Sequence, residues 1–355
     1  MLNGASRKER EIGIALIGAG NIASLQARAI AEIVRARLRV VYATRPERAR
    51  QLATAYGADW TTDLQEAVTR DDVQLVSVCT PSGAHLEPAM AAARAGKHVL
   101  VEKPLEVTLD RADRIIEACR QAGVLLGCVF QSRLKEGVRY AREALAAGRL
   151  GRLTLADAYV KWYRPASYYM QGGWRGTWAL DGGGALMNQS IHTVDLLQYL
   201  AGPVASVYAR AATLVHAIEA EDTAVAVLSF ANGALGVIEG TTTAYPGSPA
   251  RIELHGDRGT IVLTEGQVTR WDVDGATGEE RTRVMVEALG GTGAADPLAI
   301  GYEGHRRQIA DMVDAILTGR PPLIDGAEGR KAVEIIRAIY RSAQIGQPVT
   351  LPLIE

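Results

Sequence analysis

The sequence predicts two architectures in succession. The first is a doubly wound α/β unit with a parallel sheet; the second is an α+β unit on a large, mostly antiparallel, open-faced sheet. Three observations predict this. Up to about residue 130, short and nearly uninterrupted apolar runs alternate with helical patterns, as strands covered on both faces require. Beyond that point the hydrophobic period falls to two, the pattern of strands with one face on a core. A glycine-rich turn at 18–23 separates the first apolar run from the first helical one. At 355 residues the chain is long enough for two domains of ordinary size, divided here as 1–130 and 131–355.

Ile12–Ile17 (IGIALI) is a buried-strand run ending in Gly18-Ala19-Gly20. A helix-compatible segment covers Ile22–Ala36, and Arg39–Tyr42 is the second strand. Gln74–Cys79 reads as a strand, His85–Ala95 as a helix closed by Gly96, and His98–Val101 as a strand. Leu109–Ala122 places Ala112, Ile115, Ile116 and Cys119 on one helical face, and Gly123 stops it. Val124–Phe130 completes the alternation. After the helix Glu136–Ala147, long strands are expected at Leu153–Trp162, Val204–Leu214 and Thr223–Phe230. Asn232-Gly233 signals a tight hairpin with positive φ at both central positions. Arg251–His255 and Thr260–Thr264 continue the sheet, Ala288–Gly304 reads as a mobile Gly/Ala-rich loop, and helices at His305–Thr318 and Gly329–Ala343 close the chain.

Composition narrows the function. The formal net charge is −1, with 48% hydrophobic and 22% charged residues, so no broad attraction to nucleic acid or anionic membrane is expected. Cys79, Cys119 and Cys128 are scattered without CxxC spacing and are expected as reduced core residues of a cytoplasmic protein. No metal site is expected. The polar start MLNGASRKEREIG carries no cleavable signal, and the apolar runs fall short of the roughly 20 residues that cross a bilayer.

Gly18-Ala19-Gly20-Asn21-Ile22-Ala23 fits GxGxxA between a strand and a helix. Gly18 permits the tight turn, Gly20 lets the backbone approach a pyrophosphate, and Ala23 permits close helix–sheet packing. The helix start at Asn21 and Ile22 supplies N–H groups and the positive end of a dipole. This predicts a Rossmann-type dinucleotide site. The second strand ends in Ala43-Thr44-Arg45-Pro46, where an NAD-preferring site usually has an acid. Thr44 and Arg45 offer a hydroxyl and a cation instead, which suit a 2′-phosphate, so NADP is favoured over NAD.

Val99-Leu100-Val101 runs directly into Glu102-Lys103-Pro104. Ligands bind outside the carboxyl ends of strands in such sheets, so this strand end delivers Glu102 and Lys103 to the nicotinamide side of the crevice. Pro104 removes a donor and turns the chain away.

Taken together these residues resemble the glucose–fructose oxidoreductase / inositol dehydrogenase / MocA family. The resemblance rests on the glycine loop, Thr80-Pro81 with His85, and Ala95-Gly96-Lys97-His98-Val99 leading into Glu102-Lys103-Pro104. It also rests on Gly148-Arg149-Leu150-Gly151, Gly182-Gly183-Gly184 and the run Asn188–Leu197. It spans about residues 12 to 345. It implies cofactor contacts from Thr80, Pro81, His85, Glu102 and Lys103, with Lys103 as acid/base and His192 as its partner. Desolvation and a cationic ring would lower the Lys103 pKa toward the useful range. Two departures stand out. Asn188 replaces the family's aspartate one turn before His192, and Ser82 replaces an asparagine. Asn188 is assigned to substrate, and Asp195 either orients His192 or is a plain helix acid. Glu102 is expected to steady the loop or position Lys103, not to act on substrate.

Trp162–Trp178 holds three of the five tryptophans and interleaves rings with Arg164, Gln171 and Arg175, which suits a sugar. Tyr163, Trp174, Arg175, Gln131 and Arg133 are the expected substrate contacts. The implied function is an NAD(P)-dependent oxidoreductase of a sugar, cyclitol or sugar derivative, as a homodimer or homotetramer. The alternatives are a redox-assisted glycosidase, separable by net cofactor turnover, and a non-catalytic dinucleotide sensor, against which the retention of Lys103 and His192 counts.

Overall fold

The computed structural model describes residues 11–170, 173–286 and 301–354. The expected loop at Ala288–Gly304 therefore lies largely outside the described residues. The first sheet has six parallel strands: β1 (Ile12–Ile17), β2 (Ala36–Tyr42), β3 (Asp59–Thr61), β4 (Leu75–Val78), β5 (His98–Val101) and β6 (Leu126–Cys128), in the order β3-β2-β1-β4-β5-β6. β1 is buried along its whole length because its neighbours and the helices on both faces exclude water. The sheet order reverses between β1 and β4, the switch point at which this architecture opens its crevice.

Register brings the functional loops together. Ile17 pairs with Val78, Val78 with Val101, and Val101 with Cys128. The strands end level, so Gly18, Cys79 and Glu102 emerge side by side. The helix Leu109–Ala122 has the expected bounds, with Thr108 as its cap and Gly123 in the left-handed conformation. The first helix ends at Ala31, short of the expected Ala36, because Ala36, Leu38 and Val40 alternate inward and extend β2 backward. The strand expected over Val124–Phe130 shrinks to β6.

The second sheet contains β7 (Leu153–Lys161), β8 (Val204–Ala212), β9 (Thr223–Phe230), β10 (Leu235–Thr241), β11 (Arg251–Gly256), β12 (Gly259–Thr264), β13 (Gln267–Asp272) and β14 (Val349–Thr350). Its order is β13-β12-β11-β7-β10-β9-β8-β14, antiparallel except where β10 meets β7. The β9–β10 hairpin forms, but only Gly233 has positive φ. Asn232 instead donates to the Ala201 carbonyl and accepts from the Ala234 N–H. The helices Ile191–Ala201 and Gly326–Ile345 pack against this sheet.

The helix Glu303–Thr318 crosses back to the parallel sheet. Its Ile309, Met312 and Val313 join a core with Ile12, Leu16 and Ile30, and Arg28 stacks on the Tyr302 ring at 3.9 Å. Among the described residues no helix is long and apolar enough to cross a membrane.

Candidate active site

Gly18 has φ of +118°, and a Cβ there would fall 2.7 Å from the Cys79 carbonyl oxygen, so only glycine makes this turn. Gly20 differs: a Cβ would meet nothing within 4 Å. It opens the helix Asn21–Ala31 with no side-chain cap, leaving the first N–H groups at an open cradle. An anionic pyrophosphate fits such a place in charge and in shape. Thr44 and Arg45 are exposed just past β2, and Arg45 opens the next helix.

Thr80 donates through its hydroxyl to the Ala84 carbonyl. His85 departs from the expected cofactor contact. It is 1% exposed, and its Nδ1 and Nε2 lie 2.9 and 3.0 Å from the carbonyls of Pro104 and Thr80. It staples two crevice loops together. Glu102 is also occupied within the protein. Its carboxylate accepts from Gln26 Nε2 at 2.6 Å, lies 3.2 Å from His305 Nε2, and accepts from the Lys103 N–H. Burial opposes its charge, but the His305 and Gln26 contacts hold it below the usual carboxylate range. These bonds consume it as a support beneath the loop.

Lys103 is half-buried and points across the crevice, donating from Nζ to the Asn188 carbonyl at 2.7 Å. Burial pushes its pKa down; the charges of Glu102 and Asp181 oppose that and Arg164 adds to it. Ala185–Ser190 forms a π-helical turn before the α-helix begins at Ile191. Gly182 precedes it with φ of +75°, where a Cβ would strike Val107 at 2.6 Å. Asn188 lies in this wider turn and His192 in the α-helix that follows it. The Asn188 side chain turns away, donating to Asp181 Oδ1 at 2.5 Å and accepting from Gln189 at 2.9 Å.

The polar cluster continues outward. Gln189 donates to the Tyr168 hydroxyl and accepts twice from the buried Arg164 guanidinium. Arg175 stacks over the Tyr168 ring at 4.2 Å, and its Nε is buried with no partner among the described residues. Trp174 lies beside Arg175, while Tyr163 packs on Tyr245 and pairs with Thr243. His192 sets its ring edge-on to Phe130 at 5.6 Å, and its Nδ1 has no partner among the described residues. Burial, followed by the charge of Lys103, drives its pKa well below the imidazole range, so it stands neutral.

Arg133 is the clearest correction. It is 6% exposed and bound by Asp195 at 2.6 and 2.8 Å and by Glu328 at 2.8 Å, so its guanidinium is spent inside the protein. Asp195 accordingly serves Arg133, not His192. Gln131 keeps a buried carbonyl oxygen with no partner among the described residues, while its side chain packs on Gly304. Sequence reasoning missed Asp181, Gln189, His305 and Gln26. Only Asp181 had a signal, its place directly before the glycine run.

Residues 12–130 match the model of an oxidoreductase family with an NAD-binding Rossmann fold, and residues 138–262 match the GFO/IDH/MocA C-terminal domain. The chain belongs to the GFO/IDH/MocA oxidoreductase family. Among similar members, the 1,5-anhydro-D-fructose reductase of Ensifer adhaerens is 31% identical, covering 81% of this chain and 88% of its own. The myo-inositol 2-dehydrogenase of Thermotoga maritima is 28% identical over 95% of this chain and 98% of its own. The WlbA dehydrogenase of Bordetella pertussis, solved with NADH and UDP-GlcNAcA, superimposes with a TM-score of 0.89 at 34% identity, covering 98% and 99% of the two chains.

Proposed function

We propose that this member of the family is a nicotinamide-dependent dehydrogenase or reductase of a secondary alcohol, or the matching carbonyl, in a sugar, cyclitol or sugar derivative. One observation carries the reading. The Lys103 ammonium reaches to Asn188 from just past β5, whose end is level with that of β1, the strand leading into the glycine turn. The cofactor supplies or accepts the hydride when bound. Lys103 moves the hydroxyl proton, helped by the burial that lowers its pKa. His192, kept neutral, donates to or accepts from the reacting oxygen. Asn188 acts mainly through its backbone, its side chain being occupied by Asp181 and Gln189.

Gln131, Tyr163, Trp174 and Arg175 line the substrate side. The Arg175 Nε, without a partner among the described residues, favours a sugar bearing a carboxylate or phosphate, the class to which the ligand of the WlbA complex belongs. Arg45 admits a 2′-phosphate, so the enzyme accepts NADP. The test is a screen of sugars, polyols, uronates and nucleotide sugars with NAD and NADP, read as reduced-cofactor absorbance. Turnover of at least one polyol or sugar is the expected result; cofactor binding without turnover of any would defeat the reading.

Among the described residues no layer covers one face of the second sheet, which exposes Leu155 paired with Leu235, and Val227 paired with Tyr208. A second copy covers this face in a homodimer or homotetramer, which light scattering of the purified protein would measure.

A further inference from the structure

We propose that Asp181 is a positioning residue that supplies a second counter-charge to Lys103, beside Glu102 and across Asn188, in place of the carboxylate that position 188 lacks. Three groups hang on one asparagine. Its amide donates to Asp181 Oδ1 at 2.5 Å, its side-chain oxygen accepts from Gln189 at 2.9 Å, and its backbone carbonyl accepts from Lys103 at 2.7 Å. Asp181 is 1% exposed, and among the described residues its second oxygen accepts only from the Gly176 N–H, at 2.8 Å. A loop staple of this kind needs an acceptor, not a charge, and a buried carboxylate is costly without a cation.

The other charges around the pair can be named one by one. Glu102, kept ionised by Gln26 and His305, faces Lys103 and is its larger counter-charge. Arg164 and the neutral His192 face Lys103 and add no negative charge. On the Asp181 side, Glu221 is spent on the N–H groups of Gly184 and Leu186 and on the Tyr340 hydroxyl. Tyr168 and Tyr340 complete the surroundings. Burial raises the Asp181 carboxyl to about 7, with the Gly176, Asn188 and Lys103 contacts pulling the other way. Above that pH the ionised carboxylate holds the proton on Lys103. The inference rests on Lys103 as the acid/base of the site, but its test needs neither substrate nor cofactor.

The test is the pH dependence of Lys103 acetylation in the free protein, using acetic anhydride and peptide mass spectrometry. Asp181→Asn should move the Lys103 midpoint down by about one pH unit, the usual effect of removing a close opposite charge. The exchange Asp181→Asn with Asn188→Asp reverses the hydrogen bond between the two side chains, leaves acceptors for the Gly176 N–H and Gln189 Nε2, and should return the midpoint to the native value. A native midpoint in Asp181→Asn overturns the proposal. Should that variant not fold, the exchange decides alone: a native midpoint supports the proposal, and a midpoint above native overturns it, because position 181 would then have contributed little. A purely structural Asp181 would move stability and leave the midpoint in place.

Discussion

The Lys103 ammonium donates to the Asn188 backbone carbonyl at 2.7 Å, closing a contact between residues 85 positions apart. One end of that bond belongs to the parallel sheet and the other to the π-helical turn of the second domain. The proposed acid/base group is therefore held from both sheets, and changes in either should be felt at Lys103.

The two glycines of the cofactor loop should separate stability from binding. Gly18→Ala meets the Cys79 carbonyl and a strained φ, so both the melting temperature and dinucleotide affinity should fall. Gly20→Ala meets nothing in the protein. It should leave the melting temperature nearly unchanged while weakening NADH binding at least about tenfold, or about 1.4 kcal/mol, in a fluorescence titration. Native NADH affinity in Gly20→Ala would move the pyrophosphate elsewhere.

Arg45 is exposed just past β2, where the adenosine ribose is held in this architecture. Arg45→Ala should raise the KM for NADP about tenfold, the loss of one charge-assisted contact, and change the KM for NAD much less. Steady-state kinetics with both cofactors checks this, and parallel changes would remove Arg45 from the 2′-phosphate.

Arg133 should behave as a structural residue. Arg133→Ala strands Asp195 in the interior, so denaturant unfolding should show a loss of about 3–5 kcal/mol. Replacing both partners with apolar residues of similar volume should recover most of it. Full stability with a raised substrate KM would return Arg133 to the substrate.

Asp181 also makes a pH prediction for stability. Its carboxyl lies at about 7 in the folded protein against 3.8 for an ordinary aspartate. The folded state therefore binds the proton more tightly. That contribution is fully present below about pH 4 and is lost as pH rises through 7, at up to about 1.4 kcal/mol per unit. Melting temperatures of native protein and Asp181→Asn, compared from pH 5 to 8, should shift in favour of the variant as pH rises. A constant difference would contradict the placement.

Much of the first domain was legible because local and global signals agree there. Buried strands, the glycine turn and the capped helix at Leu109–Ala122 each follow from nearest-neighbour pattern. The second sheet was legible where strands are long and one-sided. It was not legible at Val349–Thr350, and in the first sheet Asp59–Thr61 was equally hidden. Strands of two and three residues carry too few side chains for a period.

The site residues divide the same way. Lys103 follows from its place at a strand end. His85, Glu102 and Arg133 lie near the crevice as expected, but their charges and ring atoms are taken by partners up to 203 positions away, which no local pattern reveals. Asp181 escaped because its role depends on the π-helical turn, which sends the Asn188 side chain back toward the glycine run.

The central claim is that Lys103 moves the proton of the reaction. The most direct measurement is turnover by Lys103→Ala at saturating cofactor, with the best substrate from the screen, alongside its NADH affinity. The account predicts a fall in kcat of about a hundredfold or more with NADH affinity retained. Undiminished kcat in a variant that binds NADH normally would contradict it.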